Sequence, residues 1–169
     1  GVKIDFMESE SRERYQWYES ILSETARLGL MVNFHGSVIP RGWARTYPQV
    51  IGYEAIRGAE YYVFYKEPLS SLHNVCQVCT RNVIGSMDYT PVTFSAPKRT
   101  TSNAHELALS IAFECGITHF ADSPDSYRSY PVAQELLKSL PDTCDETKLL
   151  GGTPDSYALI ARHTGSKWF

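Results

Sequence analysis

Two short apolar segments separated by an amphipathic helix constrain the fold of this chain most. Val2–Phe6 and Leu30–Phe34 each have the length and composition of a buried strand, and the second starts about 28 residues after the first. Between them, apolar residues recur near helical spacing after a serine cap at Ser9 or Ser11, and Gly29 is placed to end the helix. A strand, a crossover helix and a second strand at this interval indicate one βα repeat of a parallel sheet.

The same alternation continues along the chain, interrupted by a long loop from Gly36 to about Pro48. The pattern predicts, in order, a strand over Val50–Tyr53, a helix over Glu54–Tyr65, a helix over Glu106–Glu114, a strand over Ile117–Ala121, a helix over Pro131–Leu140 and an antiparallel hairpin over Ser156–Phe169. Four strand candidates with helices between them fit half of a (β/α)8 barrel or a small doubly wound sheet.

Polar residues at the strand ends favour the barrel. Asp5, His35 and Asp122 each stand at or just after the end of a predicted strand. In a barrel, such residues from several strands converge on one site at the carboxyl-terminal face. Each of the three alone could be a helix cap or a loop residue, but their common position indicates a functional site at that face.

The composition excludes several classes of function. With 169 residues, of which 43% are hydrophobic and 21% charged, the chain has the composition of one globular domain. Its net charge of -3 provides no basic surface for nucleic acid, and no segment approaches the roughly 18 apolar residues of a membrane span. A strand-like segment starts at residue 2 without a preceding cap or turn, so we expect the chain to be part of a longer protein.

Asp5, Lys3 and His35 are the candidate functional residues of the first two strands. A carboxylate at the end of a buried strand is costly unless it is paired or used, so Asp5 either caps the following helix or acts as a nucleophile or metal ligand. Lys3 lies two residues earlier on the same side of the strand, where it could keep Asp5 ionised or reach a substrate hydroxyl. His35 ends the second strand, and a single histidine of this kind is more often structural than functional.

Glu54 and Glu60 are the candidate acids of the next segment. A separation of six residues would put them on different sides of a continuous helix, whereas a break at Gly58 could turn both inward. Two solvated glutamates fit the spacing equally well. Several aromatic residues lie nearby and suit either sugar stacking or core packing: Trp43, Tyr47, Tyr53, Tyr61, Tyr62 and Tyr89.

These segments together resemble glycoside hydrolase family 97, in the right order and over nearly the whole chain. The matching blocks are Gly1–Met7, Val32–Gly36, Pro40–Gly42, Arg45–Pro48, Glu54–Glu60, Thr80–Pro91 and Asp145–Thr147. No block is decisive alone, but the series is specific. Cys144 and Ser86 depart from the tryptophan and proline that the family tends to have there, and neither is an assigned catalytic position.

The resemblance implies an enzyme with an N-terminal β-sandwich, a catalytic (β/α)8 barrel and a C-terminal β-domain. Residues 1–142 would form the second half of the barrel, from about its fourth strand, and residues 143–169 the start of the antiparallel C-terminal domain. The missing N-terminal part of the enzyme would be the main protein partner. The isolated chain, with open sheet edges, is expected to self-associate and to be inactive. Family members are usually exported bacterial enzymes, so a periplasmic or secreted location is expected.

The resemblance also assigns the two catalytic groups. The retaining branch of the family carries an aspartate nucleophile at the end of the fourth strand, which matches Asp5. The inverting branch lacks that aspartate and carries a base glutamate just after the histidine, where this chain has Gly36. Glu60 matches the acid/base. Retention implies carboxyl groups roughly 5–5.5 Å apart, against roughly 6.5–9.5 Å for inversion.

The remaining roles concern substrate and metal. His35 and Lys3 match substrate-contacting residues, and the substrate implied is an oligosaccharide or an α-galactoside. Glu54, together with Glu60, matches ligands of a Ca²⁺ ion whose site also draws on the N-terminal domain and is therefore incomplete in this chain.

The expected activity is that of a retaining α-galactosidase. The alternatives are an inverting α-glucosidase of the same family, an inactive sugar-binding or structural fragment, and, last, a metal-dependent lyase or amidohydrolase, which would require more histidines at strand ends.

Overall fold

A three-stranded parallel sheet opens the chain in this computed structural model, which describes residues 1–169. Strands β1 (Val2–Ile4), β2 (Val32–Phe34) and β3 (Val50–Tyr53) are adjacent in that order. β1 and β2 pair in parallel with Val2 opposite Val32, and β2 and β3 pair in parallel with an irregularity after Val32. All three residues of β2 are buried, as is typical of a central strand covered on both faces.

The helix between the first two strands forms where the sequence predicts it. Helix α1 spans Arg12–Arg27, and the Ser11 hydroxyl accepts a hydrogen bond from the Arg14 backbone N–H at its start. Gly29 follows the helix with a φ of 64°, the left-handed conformation that commonly ends helices. The remaining helices are α2 (Trp43–Thr46), α3 (Tyr61–Phe64), α4 (Ser71–Cys79), a 3₁₀ turn at Arg81–Ile84, α5 (Asn103–Ala112), α6 (Pro124–Arg128) and α7 (Pro131–Ser139).

The first core forms between α1 and the sheet and fixes the strand ends. Tyr18 and Leu22 of α1 are fully buried against Val32 and Phe34. The rings of Tyr18 and Phe34 meet edge to face, with centroids 4.8 Å apart. Burial of each such side chain contributes roughly 1.5–3 kcal/mol, so β1 and β2 are held firmly just before Asp5 and His35.

Two predicted elements of the region that follows were wrong. The expected helix over Glu54–Tyr65 is limited to α3, because the Ala59 N–H bonds to the carbonyl of Tyr89 rather than to a preceding turn. The expected strand over Ile117–Ala121 does not form: the Ala121 N–H bonds to the Pro91 carbonyl, without the series of paired bonds that a strand requires.

A second, antiparallel sheet forms the end of the chain. It consists of β4 (Glu146–Thr153), β5 (Tyr157–Thr164) and β6 (Lys167–Trp168), in that order. Arg162 of β5 connects this sheet to α5, because its guanidinium donates to the carbonyls of Ile111 and Ala112 at the end of that helix. The chain therefore combines parallel and antiparallel sheets with helices, which confirms the mixed α/β class. No helix is both long and apolar enough to cross a membrane.

Candidate active site

A wide cleft of about 960 Å³ opens at the carboxyl ends of β1, β2 and β3. Its walls include four of the six residues that the sequence predicts for the site, namely Asp5, His35, Glu54 and Glu60. Because the strands are parallel and adjacent, the residues that directly follow them meet at one edge of the sheet. The convergence expected from the strand-end pattern is therefore present for Asp5 and His35 but not for Asp122, whereas Glu54, which follows β3, joins the cleft.

Asp5 stands at the cleft in a tightly constrained turn. It is exposed, and its Oδ1 accepts a hydrogen bond of 2.6 Å from the Phe6 backbone N–H. Phe6 itself has a φ of 59°, a left-handed conformation that costs a residue with a side chain roughly 1–2 kcal/mol and that clusters at functional sites. Asp5 does not cap α1, since Ser11 does so. Its alternative role as a helix cap is therefore excluded.

Gly36 makes room for the Asp5 carboxylate. A Cβ placed on Gly36 would lie 2.8 Å from Asp5 Oδ1 and 3.0 Å from the Phe6 nitrogen. Gly36 also has a φ of 50°, which glycine adopts without steric cost. The Asp5 carboxylate thus occupies space that any side chain at position 36 would need.

His35 is buried and faces carboxylates from both ring nitrogens. Its Nε2 lies 3.1 Å from Glu60 Oε1 and 3.3 Å from Glu54 Oε1, and its Nδ1 lies 3.2 Å from Asp88 Oδ2. Burial alone would lower the pKa of His35, but the hydrogen bond with Asp88 and the charge of Glu54 outweigh it, so the pKa is raised. When protonated, the ring donates to carboxylates on both sides.

Glu54 and Glu60 reach His35 from the irregular segment that replaces the predicted helix. Glu54 Oε2 accepts a 2.6 Å hydrogen bond from the Gly36 N–H. Burial raises the pKa of Glu54, and the charge of His35 and the bond from Gly36 only partly offset that effect. Gly58 allows the close approach that breaks the helix, because a Cβ there would lie 2.6 Å from the Tyr89 carbonyl oxygen. The break at Gly58 therefore does turn both glutamates inward.

The same three side chains form a set that could hold a metal ion. One ligand atom each from His35, Glu54 and Glu60 lies within 4.8 Å of the others. The two carboxylates suit a hard cation such as Ca²⁺, which takes roughly six to eight oxygen ligands, and a cation would relieve the charge that burial disfavours at Glu54. The histidine nitrogen is not a typical calcium ligand, so the calcium fit rests on the two glutamates.

Lys3 and Asp122, the other two residues predicted for the site, do not line the cleft. The Lys3 ammonium lies 2.9 Å from Asp88 Oδ2, with its side chain one-third exposed. Asp122 lies outside the cleft lining, and its carboxylate accepts from the backbone N–H groups of Phe94, Ser95 and Ser123. Burial alone would raise the pKa of Asp122, but hydrogen bonds from the Ser95 hydroxyl and from the backbone N–H groups of Ser95 and Ser123 outweigh it, so the pKa is lowered. Asp122 is thus a structural residue, in agreement with the alternative that it is a loop or cap residue.

Asp88 and His119 belong to the site but do not stand out in the sequence. Asp88 is 1% exposed and contacts Lys3, His35 and His119. The one sequence feature that could have indicated Asp88 is its place between two large apolar residues, Met87 and Tyr89. Both of these neighbours are fully buried in the structure. His119 falls on the segment predicted as a strand, and its partner lies 31 residues away in sequence, beyond the reach of spacing arguments.

The aromatic residues near the acids divide between core and cleft. Of the six that the sequence singles out, only Tyr61 lines the cleft. Tyr53, Tyr62 and Tyr89 are buried in the core, and Trp43 stacks on Tyr18 at 4.8 Å. The cleft wall instead carries Phe6, Phe64 and Tyr65 beside Tyr61.

Carboxylates that converge on an open cleft at the carboxyl ends of parallel strands are an arrangement that glycoside hydrolases use. The family model described as "Glycoside hydrolase 97" matches residues 1–56. A probable retaining α-galactosidase from Streptomyces bingchenggensis (strain BCW-1) is 47% identical over 100% of this chain and 26% of its own length.

Two solved structures agree with that match. The crystal structure of a β-arabinopyranosidase has a TM-score of 0.85 and 31% identity, over 99% of this chain and 29% of that chain. A variant of a glycoside hydrolase family 97 enzyme from Pseudoalteromonas sp. strain K8, in complex with panose, has a TM-score of 0.81 and 27% identity, over 86% of this chain and 23% of that chain. The chain is similar to glycoside hydrolase family 97 and spans about a quarter of the length of the curated relatives it matches.

Proposed function

We propose that the enzyme containing this chain is a retaining α-galactosidase, with Asp5 as nucleophile and Glu60 as acid/base. The observation that carries the proposal is the contact between Asp5 and Gly36, because it leaves a carboxylate at the nucleophile position and no side chain where an inverting base would stand. The similarity to proteins named as retaining α-galactosidases, at 47% and 27% identity, supports the same assignment.

The reaction follows from the two carboxyl groups. Glu60 donates a proton to the glycosidic oxygen while Asp5 attacks the anomeric carbon from the opposite face, so that the C–O bond breaks and a glycosyl ester of Asp5 forms. Water then attacks the same carbon, Glu60 takes its proton, and Asp5 leaves as a carboxylate. Two inversions give net retention.

The surrounding residues prepare these two groups. The Phe6 N–H bonds to Asp5 Oδ1 and thereby orients the nucleophile. His35 Nε2 contacts Glu60 Oε1 and limits the positions that the acid can take. Fixed geometry of this kind supplies much of the rate advantage that enzymes gain from orientation.

A calcium ion is part of the proposal. Glu54 and Glu60 would hold it, with further oxygen ligands from parts of the enzyme beyond this chain. When bound, such an ion supplies a fixed positive charge that can orient sugar hydroxyls and oppose the burial cost at Glu54.

The barrel is likewise a proposal. The parallel order of β1, β2 and β3 and the parallel bridge from Tyr53 to Met87 support half of a (β/α)8 barrel over residues 1–142, with the antiparallel sheet beginning the next domain.

The anomer of the first product tests the reaction. The full-length enzyme is incubated with 4-nitrophenyl α-galactoside and followed by proton NMR before mutarotation, and we expect α-galactose to appear first. Initial β-galactose would show inversion and overturn the proposal. The corresponding β-arabinopyranoside and α-glucoside are tested in parallel, and a clear preference for either would overturn the galactoside assignment.

Replacement of the nucleophile gives a second test. Asp5→Gly should abolish turnover, and added azide should restore cleavage of an activated substrate with formation of β-galactosyl azide, because azide enters from the face that Asp5 vacated. Unchanged activity of Asp5→Gly would remove Asp5 from this role.

A further inference from the structure

Asp88 is a buried carboxylate that contacts His35, which in turn contacts Glu60, the proposed acid/base. It follows Met87, which forms a parallel bridge with Tyr53, and its own N–H donates to the Tyr53 carbonyl at 2.9 Å. Its side chain is 1% exposed. Burial of a charge is costly unless several donors compensate it, so the position calls for a reason beyond core packing.

The Asp88 carboxylate binds one histidine of the cleft with each of its oxygens. Oδ2 lies 3.2 Å from His35 Nδ1, and Oδ1 lies 3.3 Å from His119 Nδ1. Both histidines line the cleft. With Nδ1 engaged in each ring, the opposite nitrogen, Nε2, is the one left for other partners, and in His35 it meets Glu60 and Glu54.

Two further residues complete the surroundings of Asp88. The Lys3 ammonium lies 2.9 Å from Oδ2, and the Asn33 side-chain amide donates to the same oxygen at 2.8 Å. Lys3 compensates the buried charge, and Asn33 fixes the rotation of the carboxylate. The Asp88 carboxylate is therefore held in one orientation, so it can fix the orientation of the histidine rings that it contacts.

We propose that Asp88 is a positioning residue for the glycosidase reaction, which holds His35 against Glu60 and presents His119 to the sugar. The inference rests on the proposed function for its kinetic consequences, but the geometry on which it stands is independent of the substrate. Removing a carboxylate that orients a metal-bound histidine through its other ring nitrogen typically lowers activity about 10–100-fold, and we expect a loss of the same order here.

The kinetic test compares two isosteric substitutions in the full-length enzyme. Asp88→Asn should lower kcat/KM about 10–100-fold at a temperature where its thermal melt shows a folded protein. Asp122→Asn is the matched control, because Asp122 also accepts several hydrogen bonds but lies outside the cleft; its kcat/KM should stay within about twofold of the unmodified enzyme. Activity of Asp88→Asn within that same range would overturn the proposal.

A double-mutant cycle distinguishes a role of Asp88 in orienting the histidines from a general loss of order in the site. If Asp88 acts through His35 and His119, adding Asp88→Asn to an enzyme with both His35→Gln and His119→Gln should lower kcat/KM by less than about threefold, because the residues that it orients are already gone. A full, additive loss in that doubly substituted enzyme would overturn the assignment.

His119 has its own test. His119→Gln removes a half-buried ring whose side chain is 38% exposed, so folding should be retained. A sugar contact predicts a KM raised about threefold or more with a smaller change in kcat. Unchanged KM and kcat would remove His119 from the substrate site.

A spectroscopic measurement decides the case even if Asp88→Asn fails to fold. In the unmodified full-length enzyme labelled with ¹⁵N-histidine, Nδ1 of His35 should carry a proton, since only then can it donate to Asp88. An unprotonated Nδ1 would overturn the proposal. This readout needs no turnover, so an enzyme that cleaves no α-galactoside would refute the proposed function while the spectrum still tests Asp88.

Discussion

Gly36 lies so close to Asp5 that the observed position of the Asp5 carboxylate leaves no room for a side chain at position 36. A Cβ on Gly36 would approach Asp5 Oδ1 to 2.8 Å, closer than non-bonded carbon and oxygen atoms tolerate. Family resemblance assigns the inverting base to position 36 and the retaining nucleophile to position 5. The Asp5 carboxylate and a base at position 36 would therefore need the same space, which supports the proposal that the enzyme containing this chain retains configuration.

The contact predicts that Gly36→Ala inactivates the enzyme without unfolding it. The new methyl group should displace the Asp5 carboxylate, and a shift of about 1 Å in a reacting group costs on the order of 100-fold in rate. The measurement is kcat/KM for a nitrophenyl α-galactoside, together with the melting temperature.

Gly29→Ala provides the control for the backbone. Gly29 has a φ of 64°, close to the 50° of Gly36, but a Cβ there meets nothing within 4 Å. Both substitutions should therefore cost about 1 kcal/mol in stability through the left-handed backbone. Gly36→Ala should cost more than Gly29→Ala, because its Cβ would also lie 3.0 Å from the Phe6 nitrogen, and only Gly36→Ala should lower the rate. An equal loss of activity in the two variants would contradict the steric explanation.

The acid/base role of Glu60 predicts a dependence on the leaving group. Glu60→Gln should slow cleavage of an unactivated α-galactosyl disaccharide about 10²–10⁴-fold, but should spare formation of the glycosyl-enzyme from a dinitrophenyl galactoside, whose leaving group needs no proton. Azide should then speed turnover and give α-galactosyl azide, because Asp5 remains in place. Glu67→Gln, an exposed glutamate further along, should have no effect. Equal losses on both substrates would exclude Glu60 as the acid.

The helices and strands that are determined by residues close in sequence could be predicted from the sequence. β1, α1, β2 and β3 lie within the predicted segments, because the core formed by Tyr18, Leu22 and the strands follows directly from apolar periodicity. The strand-end rule likewise located Asp5 and His35 in one cleft.

The elements that depend on distant partners could not be predicted. The helix over Glu54–Tyr65 fails because Gly58 and Ala59 pack against the Tyr89 backbone, about 30 residues further along the chain. Asp122 looked like a site residue because strand-end position says nothing about competing backbone donors, which Phe94 and Ser95 supply. Asp88 was missed for the same reason: its partners come from three separate segments.

The calcium proposal predicts a Glu54-dependent thermal shift. Removal of calcium with EDTA should lower the melting temperature of the full-length enzyme, and calcium at about 100 times its dissociation constant should restore roughly 2.7 kcal/mol. Glu54→Gln should lose most of this gain, whereas Glu10→Gln, at an exposed ion pair with Arg41, should keep it. Because the pKa of Glu54 is raised, the calcium effect should disappear on acidification at a higher pH than for an ordinary glutamate. The same shift in both variants would contradict the assignment.

Asp122 predicts a loss of stability that depends on pH but not a loss of catalysis. Asp122→Ala leaves the N–H groups of Phe94, Ser95 and Ser123 without their acceptor, which should lower the free energy of unfolding by about 1–3 kcal/mol. The pKa of Asp122 is below its ordinary value of 3.8 in the folded protein, so its contribution is present above about pH 4 and is lost as the pH falls through the folded pKa. Urea unfolding at pH 6 and pH 3 should therefore show that the free energy of unfolding of Asp122→Ala differs less from that of the unmodified enzyme at the lower pH.

Asp125→Ala is the control, because Asp125 is an exposed aspartate of α6 paired with Arg128. It should change stability by less than about 0.5 kcal/mol. A stability difference between Asp122→Ala and the unmodified enzyme that grows on acidification would contradict the structural role of the Asp122 carboxylate. A lower kcat of the folded Asp122→Ala enzyme would indicate that Asp122 takes part in the active site.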